Sequence, residues 1–148
     1  MFKHILLPTD GSKLSDRAVQ RGIELAASLK ARVTAVHVIP EFRMMADESF
    51  VLPTSVDLKA RYEKEAKART EKLLAKIGER AKAAGLKYEG VCVSGDVPYE
   101  HIIETAKKKK CDLIMMASHG RRGISGLLLG SEASKVLTHS KIPVLIIR

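Results

Sequence analysis

Four glycines, Gly120, Gly123, Gly126 and Gly130, lie between the apolar run Leu113 to Ala117 and a helical segment opening near Ser131. Glycine permits positive φ and close approach, so successive main-chain N–H groups in such a stretch can converge on an anion. The free N–H groups and positive dipole end of the following helix add to the same site. Ser131 can cap that helix and offer a hydroxyl to a phosphate oxygen, and Arg121 and Arg122 carry guanidinium groups suited to bidentate phosphate contact. The chemistry this implies is grip on a polyphosphate. The same glycines would also serve a plain surface loop. The spacing matches neither a P-loop, which needs a lysine after its second glycine, nor a GxGxxG turn after the first strand.

A second loop, Pro8 to Gly11, follows the apolar run Ile5 to Leu7. Asp10 within it can accept hydrogen bonds from a ribose or hold a cation, or else make an Asx turn or cap the helix after Ser12. Val38, near the end of another apolar run, can read an adenine edge through its backbone or simply belong to the core. His4, His37, His101, His119 and His139 form no pair at metal-ligand spacing, and neither HExxH nor GxSxG occurs. His119 can orient a phosphate or lend a proton, but no carboxylate is evidently placed to activate water, so hydrolysis is expected to be slow at most. Cys92 and Cys111 sit beside apolar stretches and are expected to be reduced thiols in or near the core.

The elements that must position these residues follow from periodicity. Ile5 to Leu7, Val33 to Ile39, Val91 to Val93, Leu113 to Ala117 and Val144 to Ile147 are short apolar runs without alternation, as suits strands covered on both faces. Between them run helical stripes. Ala18, Gly22, Leu25, Ala26 and Leu29 make one, and Ala66, Thr70, Leu73, Ile77, Ala81 and Ala84 a second. Ile102, Ile103 and Ala106 stand behind Pro98, a good first-turn residue, and Val136 and Leu137 belong to a short fourth helix. Alternation of this kind predicts an α/β fold: an open, five-stranded parallel sheet, Rossmann-like, with helices on both faces. Ligands of such sheets bind beyond the carboxyl ends of the strands. The segment Pro40 to Ser55 is a longer connection, within which Met44 to Phe50 reads as a flap or partner surface.

The chain has 148 residues, the size of one domain spanning 1–148. No apolar run approaches the ~20 residues a membrane helix needs, and the start of the chain lacks a signal-peptide pattern, so a soluble cytoplasmic protein is expected. The net charge of +9 raises the question of a polyanionic partner. Much of the basic charge, however, falls between Lys59 and Lys82, where Lys59/Glu63, Glu63/Lys67, Glu65/Arg69 and Lys67/Glu71 can pair at helical spacing. Lys107 to Lys110 close a helix, where cations suit the dipole. With aromatics at 4% and no Trp, a base-stacking surface is poorly supplied, and nucleic acid is not the expected partner.

Pro8-Thr9-Asp10, Val36-His37-Val38, the glycine loop and the ending Lys141-Ile142-Pro143-Val144-Leu145 together resemble the universal stress protein family over nearly the whole chain. Nucleotide-binding members carry a glycine, two residues, a glycine, nine residues, then glycine and Ser or Thr. Here Ala117 stands at the first position, followed by Ser118-His119, Gly120, the nine residues Arg121 to Leu129, and Gly130-Ser131. The resemblance implies an adenine nucleotide alpha hydrolase-like fold that binds ATP, with Mg2+ accompanying the nucleotide and within reach of Asp10. It implies that Pro8, Thr9, Asp10 and Val38 hold the adenosine and that Gly120, Arg121, Arg122, Gly123, Gly130 and Ser131 hold the phosphates, with Ala117, Ser118, His119 and Glu132 completing the set. Glu132 is compatible with a triphosphate only where its carboxylate points away or meets a cation. The resemblance further implies a homodimer joined through Val144 to Ile147, an unknown protein partner, and a role as a nucleotide-dependent sensor in the stress response. A nucleotide-free dimeric interaction protein is the second reading.

Overall fold

The computed structural model describes residues 1–43, 55–121, 123 and 128–148. Met44 to Phe50, Arg122 and Gly126 lie outside them. In chain order the elements are β1 (His4–Pro8), α1 (Lys13–Leu29), β2 (Arg32–Ile39), α2 (Ser55–Ala83), β3 (Tyr88–Ser94), α3 (Pro98–Lys108), β4 (Leu113–Ala117), α4 (Ser131–His139) and β5 (Val144–Ile147). The strands form one parallel sheet in the order β3-β2-β1-β4-β5. This is the predicted α/β architecture.

Side chains alternate across the strands and so build two cores. Ile5, Leu7, Val33, Ala35, Leu113 and Met115 pack under α1 and α2, against Val19, Ile23, Ala26, Leu74, Ile77 and Ala81. Leu6, Val36, Ile114 and Met116 pack under α3 and α4, against Ile102, Ile103, Ala106, Ala133 and Val136. Ile5, Leu6, Leu7 and Ile114 are fully buried, each stabilising the fold by about 1.5–3 kcal/mol relative to an exposed side chain. Gly22 of α1 lies against Leu7, where a Cβ would come within 2.3 Å of the leucine's Cδ2. The small residue therefore lets the helix settle on the strand.

Three helices end alike. The N–H groups of Ala31, Leu86 and Cys111 reach back to the carbonyls of Ala26, Ala81 and Ala106, and the closing residues Lys30, Gly85 and Lys110 adopt φ of 53°, 74° and 55°. These are left-handed helix stops. Glycine fills only one of them.

Several expectations need correction. The run Val91 to Val93 is not covered on both faces, because β3 is an edge strand, and Cys92 is exposed while Cys111 is buried. Leu137 is 41% exposed, since Val136 supplies the buried contact of α4. Ala84 is exposed beyond the end of α2, and Leu74 rather than Leu73 is the fully packed leucine of that helix. Of the charge pairs predicted on α2, Lys59–Glu63 and Glu65–Arg69 meet at 3.8 and 4.0 Å. Among the described residues no helix is long and apolar enough to cross a membrane, and no group of three or more His, Cys, Asp or Glu residues could hold a metal ion.

Candidate functional site

The strand order reverses direction between β1 and β4, and in sheets of this kind the ligand crevice lies at that reversal, beyond the carboxyl ends of the strands. Asp10 ties the two loops together. Its Oδ1 accepts the N–H of Ser12 at 2.9 Å, an Asx turn, while Oδ2 accepts the N–H of Arg121 at 2.7 Å from the far side of the crevice. Burial alone would raise the pKa of this carboxyl. Hydrogen bonds from Ser12, Arg121 and Ser15 outweigh it and hold the pKa below the usual carboxylate value.

The glycine loop works by close approach. None of Gly120, Gly123 and Gly130 has positive φ. A Cβ on Gly120 would stand 2.5 Å from Asp10 Oδ2, one on Gly130 3.0 Å from the Ser118 carbonyl oxygen, and one on Gly123 3.1 Å from the His119 Cβ. Ala117 does not have positive φ either, and its methyl is buried at the end of β4. Alanine therefore causes no strain at this position. Among the described residues, the glycine at this site with positive φ is Gly11, at 76°, in the loop after β1; the Arg121 guanidinium lies beside it.

The predicted convergence of loop amides on an anion is only partly realised. The N–H of Arg121 goes to Asp10, that of Gly123 to the Gly120 carbonyl at 3.1 Å, and that of Gly130 to the Ser118 carbonyl at 2.7 Å. The last two bonds fold the loop onto itself, and the first ties it to the loop after β1. Outward donors are instead found at the start of α4. Gly130 is its N-cap, without a side-chain cap, and the first amide to close a helical bond is that of Ser134, onto Gly130. The amides of Ser131, Glu132 and Ala133 therefore have no intrahelical partner. Ser131 is the first helical residue rather than the cap predicted for it, and its side chain is exposed. Glu132 turns away: Oε2 accepts the Tyr99 N–H at 2.9 Å at the start of α3, where Val97 gives no side-chain cap, and Oε1 meets Lys135 at 3.3 Å. His119 shares a 3.0 Å hydrogen bond between Nδ1 and the Ser118 hydroxyl, and its buried Nε2 has no partner among the described residues.

On the other side of the crevice Thr9 and Val38 are linked by a residue absent from the predicted set. Val33 N and Ile39 O bond toward β3, whereas Val36 O accepts Thr9 N at 2.9 Å toward β1. By this alternation the N–H and C=O of Val38 also face the β1 side, where β1 has already ended. The Thr9 carbonyl, which would extend the ladder to Val38, instead meets Nδ1 of His37 at 2.7 Å. A carbonyl only accepts, so Nδ1 carries the proton. His37 thus occupies the last partner of the ladder and leaves the Val38 backbone open. Sequence spacing offered no signal for this, because the contact is between residues 28 apart. Pro8 ends β1, and Thr9 is buried with its hydroxyl 3.1 Å from that of Ser15.

Fold and site together define a doubly wound α/β domain with a ligand crevice at the reversal of its sheet. The chain belongs to the universal stress protein family, whose sequence pattern it matches over residues 1–148. It is 32% identical over 151 residues to universal stress protein MJ0531 of Methanocaldococcus jannaschii, covering all of this chain and 83% of that protein. The solved structure of MJ0577, a universal stress protein of the same organism, superposes with a TM-score of 0.82 at 25% identity, covering 99% of this chain and 96% of that one. A universal stress protein solved in complex with cAMP superposes with a TM-score of 0.70 at 31% identity, covering 99% and 97%.

Proposed function

We propose that this protein binds an adenine nucleotide, ATP, and uses it to set its dimer state or choice of partner as a cytoplasmic member of the stress response. The observation that carries this reading is the open Val38 backbone: one donor and one acceptor side by side match the edge of adenine, and His37 keeps them free. The nucleotide would lie from there across Pro8, Thr9 and Asp10 to the first-turn amides of Ser131, Glu132 and Ala133, whose number and dipole suit phosphate oxygens. Buried His119 Nε2 beside the loop supplies a polar atom that has no partner among the described residues. Mg2+ would ride on the phosphates, since both Asp10 oxygens hold backbone amides. The 31%-identical relative bound to cAMP supports the adenylate class. Val144 to Ile147, a half-exposed edge strand with Leu145 41% exposed, would pair two copies.

Thermal melting with and without Mg-ATP tests the reading. Ligand at 100 times its dissociation constant adds about 2.7 kcal/mol, and no shift at millimolar nucleotide overturns it. Gly130→Asp, which sets a carboxylate against the Ser118 carbonyl and the phosphates, should abolish the shift in a folded protein.

One observation favours the second reading, a nucleotide-free interaction protein: the Arg121, Gly123 and Gly130 amides are already satisfied within the chain. Mass spectrometry of gently purified protein separates the two, because co-purified adenylate belongs only to the first.

A further inference from the structure

A parallel sheet with crossover helices gathers all strand starts and all helix ends at one end of the molecule, opposite the crevice. The register sets these starts level: His4 pairs with Arg32, Val33 with Tyr88, Ile5 with Leu113 and Ile114 with Val144. Every strand is entered past a cation. In sheet order these are Lys87 before β3, Lys30 and Arg32 at β2, Lys3 before β1, Lys110 before β4 and Lys141 before β5. All six are exposed, and none has an ion pair among the described residues. The nearby acids are engaged: Glu89 with Lys109, and Asp112 with the main-chain N–H groups of Lys3 and His4.

Two of the cations occupy positions where lysine is the wrong residue for the backbone. Lys30 and Lys110 close their helices with φ of 53° and 55°, whereas the equivalent stop after α2 uses Gly85. A left-handed residue with a Cβ is strained where glycine is not. The helix dipole does not require Lys110, because Lys107 and Lys108 already serve the last turn of α3.

We propose that this end of the sheet holds the phosphate backbone of duplex nucleic acid without sequence preference. Four strand spacings of ~4.8 Å make the row ~19 Å long, and a duplex presents about eleven phosphate charges over that length. Among the described residues this end has no exposed aromatic side chain for stacking on single-stranded bases, and its exposed large apolar side chains are Met1 and, in the last turn of α4, Leu137, too few for a lipid-inserting surface. The six cations are scattered from position 3 to position 141, so no linear run announces them.

Fluorescence anisotropy with a labelled random-sequence duplex, on the full chain, is the test. Binding should fall about 10³-fold between 50 and 200 mM salt, as about six phosphate contacts imply. The double variant Lys30→Gly, Lys110→Gly should bind more weakly, with the logarithmic salt slope reduced by about two, and should melt at the same or a higher temperature because the left-handed strain is relieved. Saturating ATP should leave duplex binding unchanged. The proposal is overturned by absence of binding at low salt, by an unchanged slope in the double variant, by displacement with ATP, or by preference for phosphatidylserine vesicles over the duplex.

Discussion

The carboxylate of Asp10 and the main-chain N–H of Arg121 meet at 2.7 Å across the point where the sheet reverses. An anionic oxygen from one loop thereby occupies an amide of the other, and both walls of the crevice are set by one side chain. A hydrogen bond to a charged group is worth about 1.5–3 kcal/mol.

Asp10→Ala should therefore weaken ATP binding by at least about tenfold. Isothermal titration measures it, with circular dichroism confirming the fold. Unchanged affinity would place the ligand away from the β1 and β4 loops.

Two glycine substitutions should separate the site from the scaffold. Gly120→Ala places a methyl 2.5 Å from Asp10 Oδ2 and should impair ligand binding. Gly85→Ala, at φ 74° with no atom within 4 Å of the new Cβ, should cost about 1 kcal/mol of stability through backbone strain alone and leave binding intact. Urea melts and titrations of both variants should show opposite patterns.

His37→Leu removes the donor to the Thr9 carbonyl and lets that carbonyl pair with the Val38 amide. ATP affinity should drop about threefold to tenfold, the worth of one neutral hydrogen bond, while affinity for inorganic triphosphate stays the same. An equal loss for both ligands would show that His37 acts on the phosphates instead.

His4 should give stability a pH dependence. It is buried, its Nε2 lies 2.8 Å from the Thr34 hydroxyl, and its Nδ1 has no partner within hydrogen-bond geometry among the described residues. Burial, aided by Arg32, lowers its pKa from 6.5, against the opposing influence of the Lys109 and Lys110 carbonyls and Asp112. The folded protein thus binds the proton less readily than the unfolded chain. Its contribution to stability is complete above pH 6.5 and is lost progressively as pH falls from there toward the depressed folded pKa. Urea midpoints taken across this window should decline for the native chain and decline less for His4→Gln.

The fold could be read from the sequence where burial is complete. Ile5 to Leu7 and Leu113 to Ala117 are central strands, so their apolar runs are unbroken and coincide with the strand ends or fall within a residue of them. At the sheet edges the pattern is weaker: β3 begins at Tyr88, three residues before the apolar run suggests, because Glu89 and Gly90 are exposed there. The glycine loop could be located but not its use of hydrogen bonds, since Asp10 and Arg121 are 111 residues apart and only the sheet order brings them together. The sequence shows that Glu132 must point away from a phosphate or meet a cation, but its partner at Tyr99 N depends on how α3 and α4 pack.

That last contact has a thermodynamic consequence. With Glu132 bonded to the first amide turn of α3, the opening turn of α4 is moored to a neighbouring helix before any ligand arrives. The entropy of arranging its three outward amides is lost during folding, so an incoming anion meets donors already fixed in place, and less of its interaction energy is consumed in ordering them.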